Sequence, residues 1–99
     1  STFDKLSKVL DGYVYAITNP AWEGWVKIGM AVDAEDRCNS YQTSSPFRDY
    51  NLEASVPVKD RRRAEAEAHK KAKKIARQNV GEWFNMPIEE VKSIIQELK

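Results

Sequence analysis

The sequence predicts an α+β domain with a small three-stranded, mainly antiparallel sheet flanked by helices. Two short alternating segments, Tyr13 to Thr18 and Trp25 to Met30, are separated by Asn19-Pro20 through Gly24, the pattern of a hairpin. Ala64, Ala68, Ala72 and Ile75 recur at helical spacing further on, and Val91, Ile94, Ile95 and Leu98 do so near the end. Helices and strands mixed along a chain of 99 residues argue for one α+β domain, here taken as residues 1–99 with a core from 12 to 85.

The elements follow in order. Phe3, Leu6 and Leu10 share a helical face and Gly12 follows as a stop, so a helix is expected over 2–10. Tyr13 and Tyr15, taken singly, are ordinary strand residues, one in and one out. After the hairpin, Asp33 is a good N-cap, and Ala34, Cys38 and Tyr41 mark one face of a helix ending near Thr43, before Ser44-Ser45-Pro46. Tyr50 to Val56 reads as the third strand, closed off by Pro57. The longest helix is expected from about Asp60 to Gln78, its alanines allowing close packing. Gly81 breaks the chain, Trp83-Phe84 reads as a short buried extended piece, and Pro87 opens a last helix over 87–98.

Composition limits the function classes. The hydrophobic share of 41% and charged share of 31% describe an ordinary globular protein. There is no apolar run near the ~20 residues of a membrane span, and no signal-peptide pattern. A single cysteine, Cys38, leaves no internal disulfide partner and fits a reducing, cytoplasmic setting. The net charge of +1 hides an asymmetry: nine Lys or Arg against three acids between Lys59 and Arg77 give that segment +6 and leave −5 elsewhere. Such a stripe can bind a polyanion, although a solvated helix face explains a bare charge run equally well.

Chemistry-bearing residues sit at telling intervals. Tyr15 and Lys27 fall on the two hairpin strands, and Arg37 on the next helix, eight residues past Gly29. A phenol and two cations are groups that phosphate chemistry uses. Arg37 and Tyr41 are four apart on one helix, as are Glu65 and His69 on another, with Arg61 a turn earlier. Arg61, Glu65 and His69 each follow a stripe alanine or its neighbour by about 100°, at the rim of the buried face. A carboxylate there could hold magnesium with waters and substrate phosphate; alone, Glu65 reads more readily as a surface ion-pairing residue and His69 as a helix-face histidine.

Taken together, Gly12-Tyr13-Val14-Tyr15-Ala16-Ile17, Val26-Lys27-Ile28-Gly29, Arg37, Glu65 with Ala68-His69, and Gly81-Glu82-Trp83-Phe84 resemble the GIY-YIG nuclease superfamily. The likeness is to its phage and bacterial branch, with a Lys-Ile-Gly second motif and a terminal Glu-Trp-Phe box. It implies a divalent-metal-dependent DNA endonuclease or nicking domain, with Mg²⁺ as cofactor and Mn²⁺ as substitute, in a bacterial or phage-infected cell. Tyr15, Lys27, Arg37, Tyr41 and Glu65 would be catalytic, Glu65 the metal ligand and Gly29 the structural glycine. Tyr41 stands where many members carry histidine, and Glu67 rivals Glu65. Tyr13, His69 and Asn85 are accessory positions. Arg61, Arg62, Arg63, Lys70, Lys73 and Lys74 would track nucleic acid. In the implied mechanism Tyr15 positions water and takes its proton; lowering a phenol from pKa ~10 to ~7 needs about 4 kcal/mol, part of it expected from Lys27. The alternative is a catalytically silent domain of the same fold that binds nucleic acid or a protein. RNA stays open beside DNA, as do monomer and dimer, strand number and sequence preference.

Overall fold

The computed structural model describes residues 10–98. The helix expected over 2–10 lies outside them, apart from Leu10. The described chain runs β1 (Gly12–Thr18), β2 (Trp25–Ala31), α1 (Ala34–Gln42), β3 (Asn51–Val58), α2 (Arg61–Ile75), β4 (Gln78–Val80), β5 (Trp83–Asn85) and α3 (Ile88–Gln96). The α+β class and antiparallel sheet are as the sequence predicts, but the sheet has five strands instead of three, in the order β3-β1-β2-β5-β4.

β4 begins at Gln78, where helix was expected, and β5 is the short extended piece expected at Trp83-Phe84, paired into the sheet. α2 stops at Ile75, where the Ala76 N–H donates to Ala72 O at 2.8 Å. The Arg77 N–H then donates to Asn85 O at 2.9 Å, and Gln78, Asn79 and Val80 pair with Asn85, Phe84 and Trp83. Helix propensity in Ala76-Arg77-Gln78 is outweighed by a partner strand, a tertiary contact that periodicity does not encode. Gly81, at φ 57, takes the left-handed position that this two-residue turn requires. Ile75, expected in the apolar stripe, is 47% exposed because the helix ends there.

Two smaller expectations also shift. Pro57 does not close β3: it pairs with Tyr13 inside the strand, which is tolerable because β3 is a sheet edge and one side of it needs no donor. Pro87 is the cap before α3 and not its first residue. Asp33 is the cap that was expected, its side chain accepting from Asp36 N–H at 3.0 Å, whereas Asp60, expected as the start of the helix, caps it and accepts from Arg63 N–H at 3.1 Å.

The sheet has a different layer on each face. Val14, Ala16, Val26, Ile28, Val56 and Phe84 pack against Ala64, Ala68 and Ala72 of α2 and against Val91, Ile94 and Ile95 of α3. Alanine at three successive turns lets the α2 backbone approach the strands closely. On the other face Tyr15, Ile17 and Ala31 pack against Ala34 and Cys38 of α1, with Tyr13, Tyr41, Tyr50 and Leu52 partly buried around them. Tyr13 and Tyr15 therefore share a face, contrary to the one-in, one-out reading; two residues apart on a strand, they must.

Gly29 is where that second layer is tightest. It pairs with Tyr15 across the hairpin, and a Cβ at Gly29 would stand 2.5 Å from Tyr15 Oη and 2.6 Å from Cζ. The hydroxyl end of the phenol ring covers the glycine. Gly29→Ala is expected to cost about 1–3 kcal/mol in urea denaturation, as overpacking does. In a Tyr15→Leu background the same change should cost much less, and strictly additive costs would show that the ring is not the obstacle.

Candidate active site

The pairing of β2 is unequal on its two sides. β1 pairs with it from Lys27 to Ala31, whereas β5 meets only Trp25, Val26 and Lys27. Beyond Lys27 the backbone groups on the β5 side have no strand partner, yet buried peptide groups must be satisfied. Ile28 N–H donates to Glu82 O at 3.0 Å, the last contact with the β5 side. His69 then takes over, its Nε2 2.8 Å from Ile28 O. The Met30 N–H faces the Glu65 carboxylate closely enough to favour its ionised form. Two α2 side chains, four residues apart and so one turn apart, stand in for the missing strand.

This substitution assembles a cluster. Donor atoms of Glu65, His69 and Glu82 all lie within 4.8 Å of one another, each residue half-buried. A carbonyl can only accept, so His69 Nε2 carries the proton toward Ile28 and Nδ1 keeps the lone pair in the neutral ring. The ring also packs against Phe84, centroids 5.2 Å apart. Oε2 of Glu65 is buried and has no hydrogen-bond partner among the described residues. Burial first, and then the Glu82 carboxylate, raise the Glu65 pKa above 4.5, against the opposing pull of His69, Lys27 and the Met30 N–H. An orphaned carboxylate oxygen beside a second carboxylate and an imidazole fits a divalent cation, which would relieve both the missing partner and the repulsion. Glu67, the sequence rival, points away and pairs with Lys71 at 3.7 Å.

Lys27 joins this edge to the opposite face of the sheet. Its Nζ lies 3.3 Å from Glu82 Oε2, donates to Tyr41 Oη, and sits 4.5 Å from the Tyr41 ring centroid. Lys27 thus serves Tyr41, not Tyr15 as the sequence suggested. Burial tends to raise the Tyr41 pKa, but hydrogen bonds from Lys27 and Tyr15 and the charges of Lys27 and Arg37 bring it below 10.0. Tyr15 moves the other way: burial foremost, then its bond to Tyr41, hold its proton firmly. Burial opposes the charge on Lys27, yet Tyr41 and Glu82 raise its pKa overall. The opposite shifts of the tyrosines make Tyr15 the donor and Tyr41 the acceptor.

The other candidates divide. Arg37 is exposed on α1 and contributes its charge to both tyrosines. Tyr13 lines the same face. Arg61 donates to Asp11 O at 2.9 Å and lies against Gly12, which ties α2 to the start of β1. Arg62, Arg63, Lys70, Lys73 and Lys74 are exposed; at about 100° per residue, Arg62 and Lys73 flank the His69 side of α2, and the other three stand opposite the core. Asn85 is not in the cluster; it pairs with Trp25 and Gln78, at the other end of β5 from Glu82. Glu82 was missed as a candidate ligand, since only its place in the Glu-Trp-Phe box marked it.

The fold and site define a small α+β domain with an acid-and-histidine cluster at an open strand edge. Residues 12–99 match the T5orf172 domain model, and the chain belongs to that family. No curated protein matches the chain, and no solved structure does.

Two outcomes are expected. In an ultraviolet titration of phenolate absorbance, Tyr41→Phe should remove the earliest ionisation and Tyr15→Phe should not. Lys27→Met should move that first step upward; an unchanged curve would break the Lys27–Tyr41 assignment. For Glu65, the folded state holds its proton to higher pH than the unfolded chain, so stability falls as pH rises from about 4.5 through the folded value. Glu65→Gln should therefore raise the melting temperature of the metal-free protein at neutral pH but not below that window. Adding Mn²⁺ should stabilise the natural protein and leave the variant unmoved.

Proposed function

We propose that this domain is a divalent-metal-dependent DNA endonuclease, hydrolysing a phosphodiester at a GIY-YIG-type site. One observation carries the reading: Glu65, with its unpartnered buried oxygen, meets His69 and Glu82 at the strand edge where Lys27 also holds Tyr41. Acid, base and cations are the groups that phosphodiester hydrolysis needs, and here they surround one lysine. Glu65 would hold Mg²⁺ or Mn²⁺, with Glu82 and His69 as further ligands; the imidazole suits Mn²⁺ at least as well as Mg²⁺. Bound there, the cation polarises the phosphate and steadies the leaving oxygen.

The protein's own groups supply the proton chemistry. Tyr41, as phenolate, takes a proton from the attacking water while the water oxygen bonds to phosphorus and the bridging P–O bond breaks. Lys27 stabilises that phenolate, and the Tyr15 O–H donates to it and sets its direction. Assigning the base to Tyr41 removes the difficulty of ionising the deeply buried Tyr15. It also gives a role to the tyrosine that stands where many GIY-YIG members carry histidine. Arg37 grips non-bridging oxygens with its planar fork. The exposed cations of α2 follow the DNA backbone, adding affinity without sequence choice.

A plasmid-nicking assay tests this. Supercoiled DNA should be nicked with Mn²⁺ or Mg²⁺, and EDTA should stop the reaction. Glu65→Ala should abolish cutting while binding persists, and Glu67→Ala should cut normally. Tyr41→Phe should slow cutting by about 10²–10⁴-fold, the usual range for a lost general base, and Tyr15→Phe by less. Folded protein that never nicks under either cation overturns the reading.

A further inference from the structure

The sheet face that carries Tyr15 and Lys27 is only partly covered. α1 closes it over Tyr15, Ile17 and Ala31. Beyond Lys27, the register sets Lys27 opposite Trp83, and Trp83 opposite Val80. Strand alternation adds Trp25 to that same face. Trp22, from the hairpin turn, stands edge-on to Trp83 with centroids 5.5 Å apart. It lies 6.3 Å from Tyr50, which in turn lies 5.5 Å from Tyr41. The Gln42 amide fixes Tyr50 through both backbone groups, at 2.7 and 2.9 Å.

A continuous row of rings therefore runs Trp83, Trp22, Tyr50, Tyr41 and ends on the phenol bonded to Lys27. Between Trp22, Trp25, Val80 and Trp83 lies an open cavity of about 340 Å³. Trp22 is 48% and Val80 69% exposed, so this end of the row faces solvent. All three tryptophans of the chain are here. Ring surfaces that start beside two cations, Lys27 and Arg37, match a strand with a phosphate at one end and open base faces along it. Aromatic rings in such rows stack successive bases whatever their sequence. A closed duplex offers no base faces, because its bases already stack on one another.

We infer that this aromatic row stacks unpaired bases of a DNA strand, so that the domain engages DNA that is single-stranded beside the cut. The phosphate end of the inference rests on the nuclease reading; the stacking surface does not.

Binding is measured in EDTA, without turnover, by the protein's own tryptophan fluorescence. Short oligothymidylate should quench it strongly and bind at least about fivefold more tightly than an abasic chain of equal length or a blunt duplex, the gain from about one stacked base. Trp22→Leu, which keeps an apolar side chain against Tyr50 and Trp83 and is checked for an unchanged circular dichroism spectrum, should weaken oligothymidylate binding about fivefold or more. Trp83→Leu should do the same. Equal affinity for abasic chain and oligothymidylate overturns the inference, as does tighter binding of duplex or an unaffected Trp22→Leu. Self-association that Trp22→Leu abolishes overturns it too, since a second copy then covers the row. Quenching without any nicking leaves base stacking standing and removes the nuclease reading. Nicking with no preference for unpaired DNA does the reverse.

Discussion

The unsatisfied edge of β2 governs much of this molecule. β5 ends its pairing at Lys27, so Ile28 and Met30 present backbone groups that no strand completes. In a packed interior each such group left alone costs roughly 1–3 kcal/mol. Helix α2 answers with two polar side chains where an amphipathic helix would ordinarily place apolar ones. That requirement holds Glu65 and His69 inward, a turn apart, and keeps the alanine stripe beside them small. Glu82 arrives at the same place because its own carbonyl accepts from Ile28. The acid-and-histidine cluster is thus a by-product of how the sheet terminates, with Glu65 and His69 on α2 and Glu82 in the turn before β5.

Lys27 is the second shared element. A single ammonium bridges the Glu82 side of the sheet edge and the Tyr41 side of α1. A lysine here can act as a point charge toward both because its three donors diverge. Its effect on the tyrosines depends on which one it reaches. Tyr15 lies under α1 and over Gly29, where desolvation dominates. Tyr41, nearer the surface, receives bonds from Lys27 and Tyr15 together. Two phenols a hydrogen bond apart are driven in opposite directions, the ordinary way a site separates a proton holder from a proton acceptor.

Several parts of this site were readable in the residue order. Arg37 and Tyr41 had to share a helix face, and Glu65 and His69 another, because four residues make about one turn. The cap at Asp33 and the hairpin about Asn19 to Gly24 carried local chemistry that needs no partner. Glu65 could be set against Glu67 only by spacing; the fold separates them by burying one and leaving the other to Lys71. β4 was hidden because Ala76-Arg77-Gln78 favours helix locally, and Gln78 enters a strand only when Asn85 is alongside. Glu82 was hidden for the same reason: a glutamate beside a turn glycine has no special pattern until the turn is folded against β2. Trp83, read with Phe84 as buried, is only partly buried.

By itself, then, the sequence determined the α+β class, most element positions, the Asp33 cap and which residues lie one turn apart, since these depend on local torsions and a fixed periodicity. Only the tertiary structure decided the number of strands, the partner of Lys27 and the company of Glu65. Each of those depends on which backbone groups remain unpaired once the sheet is built. That is a property of strands far apart in the chain, such as β2 and β5, which meet from Trp25 opposite Asn85 to Lys27 opposite Trp83, and no local propensity contains it.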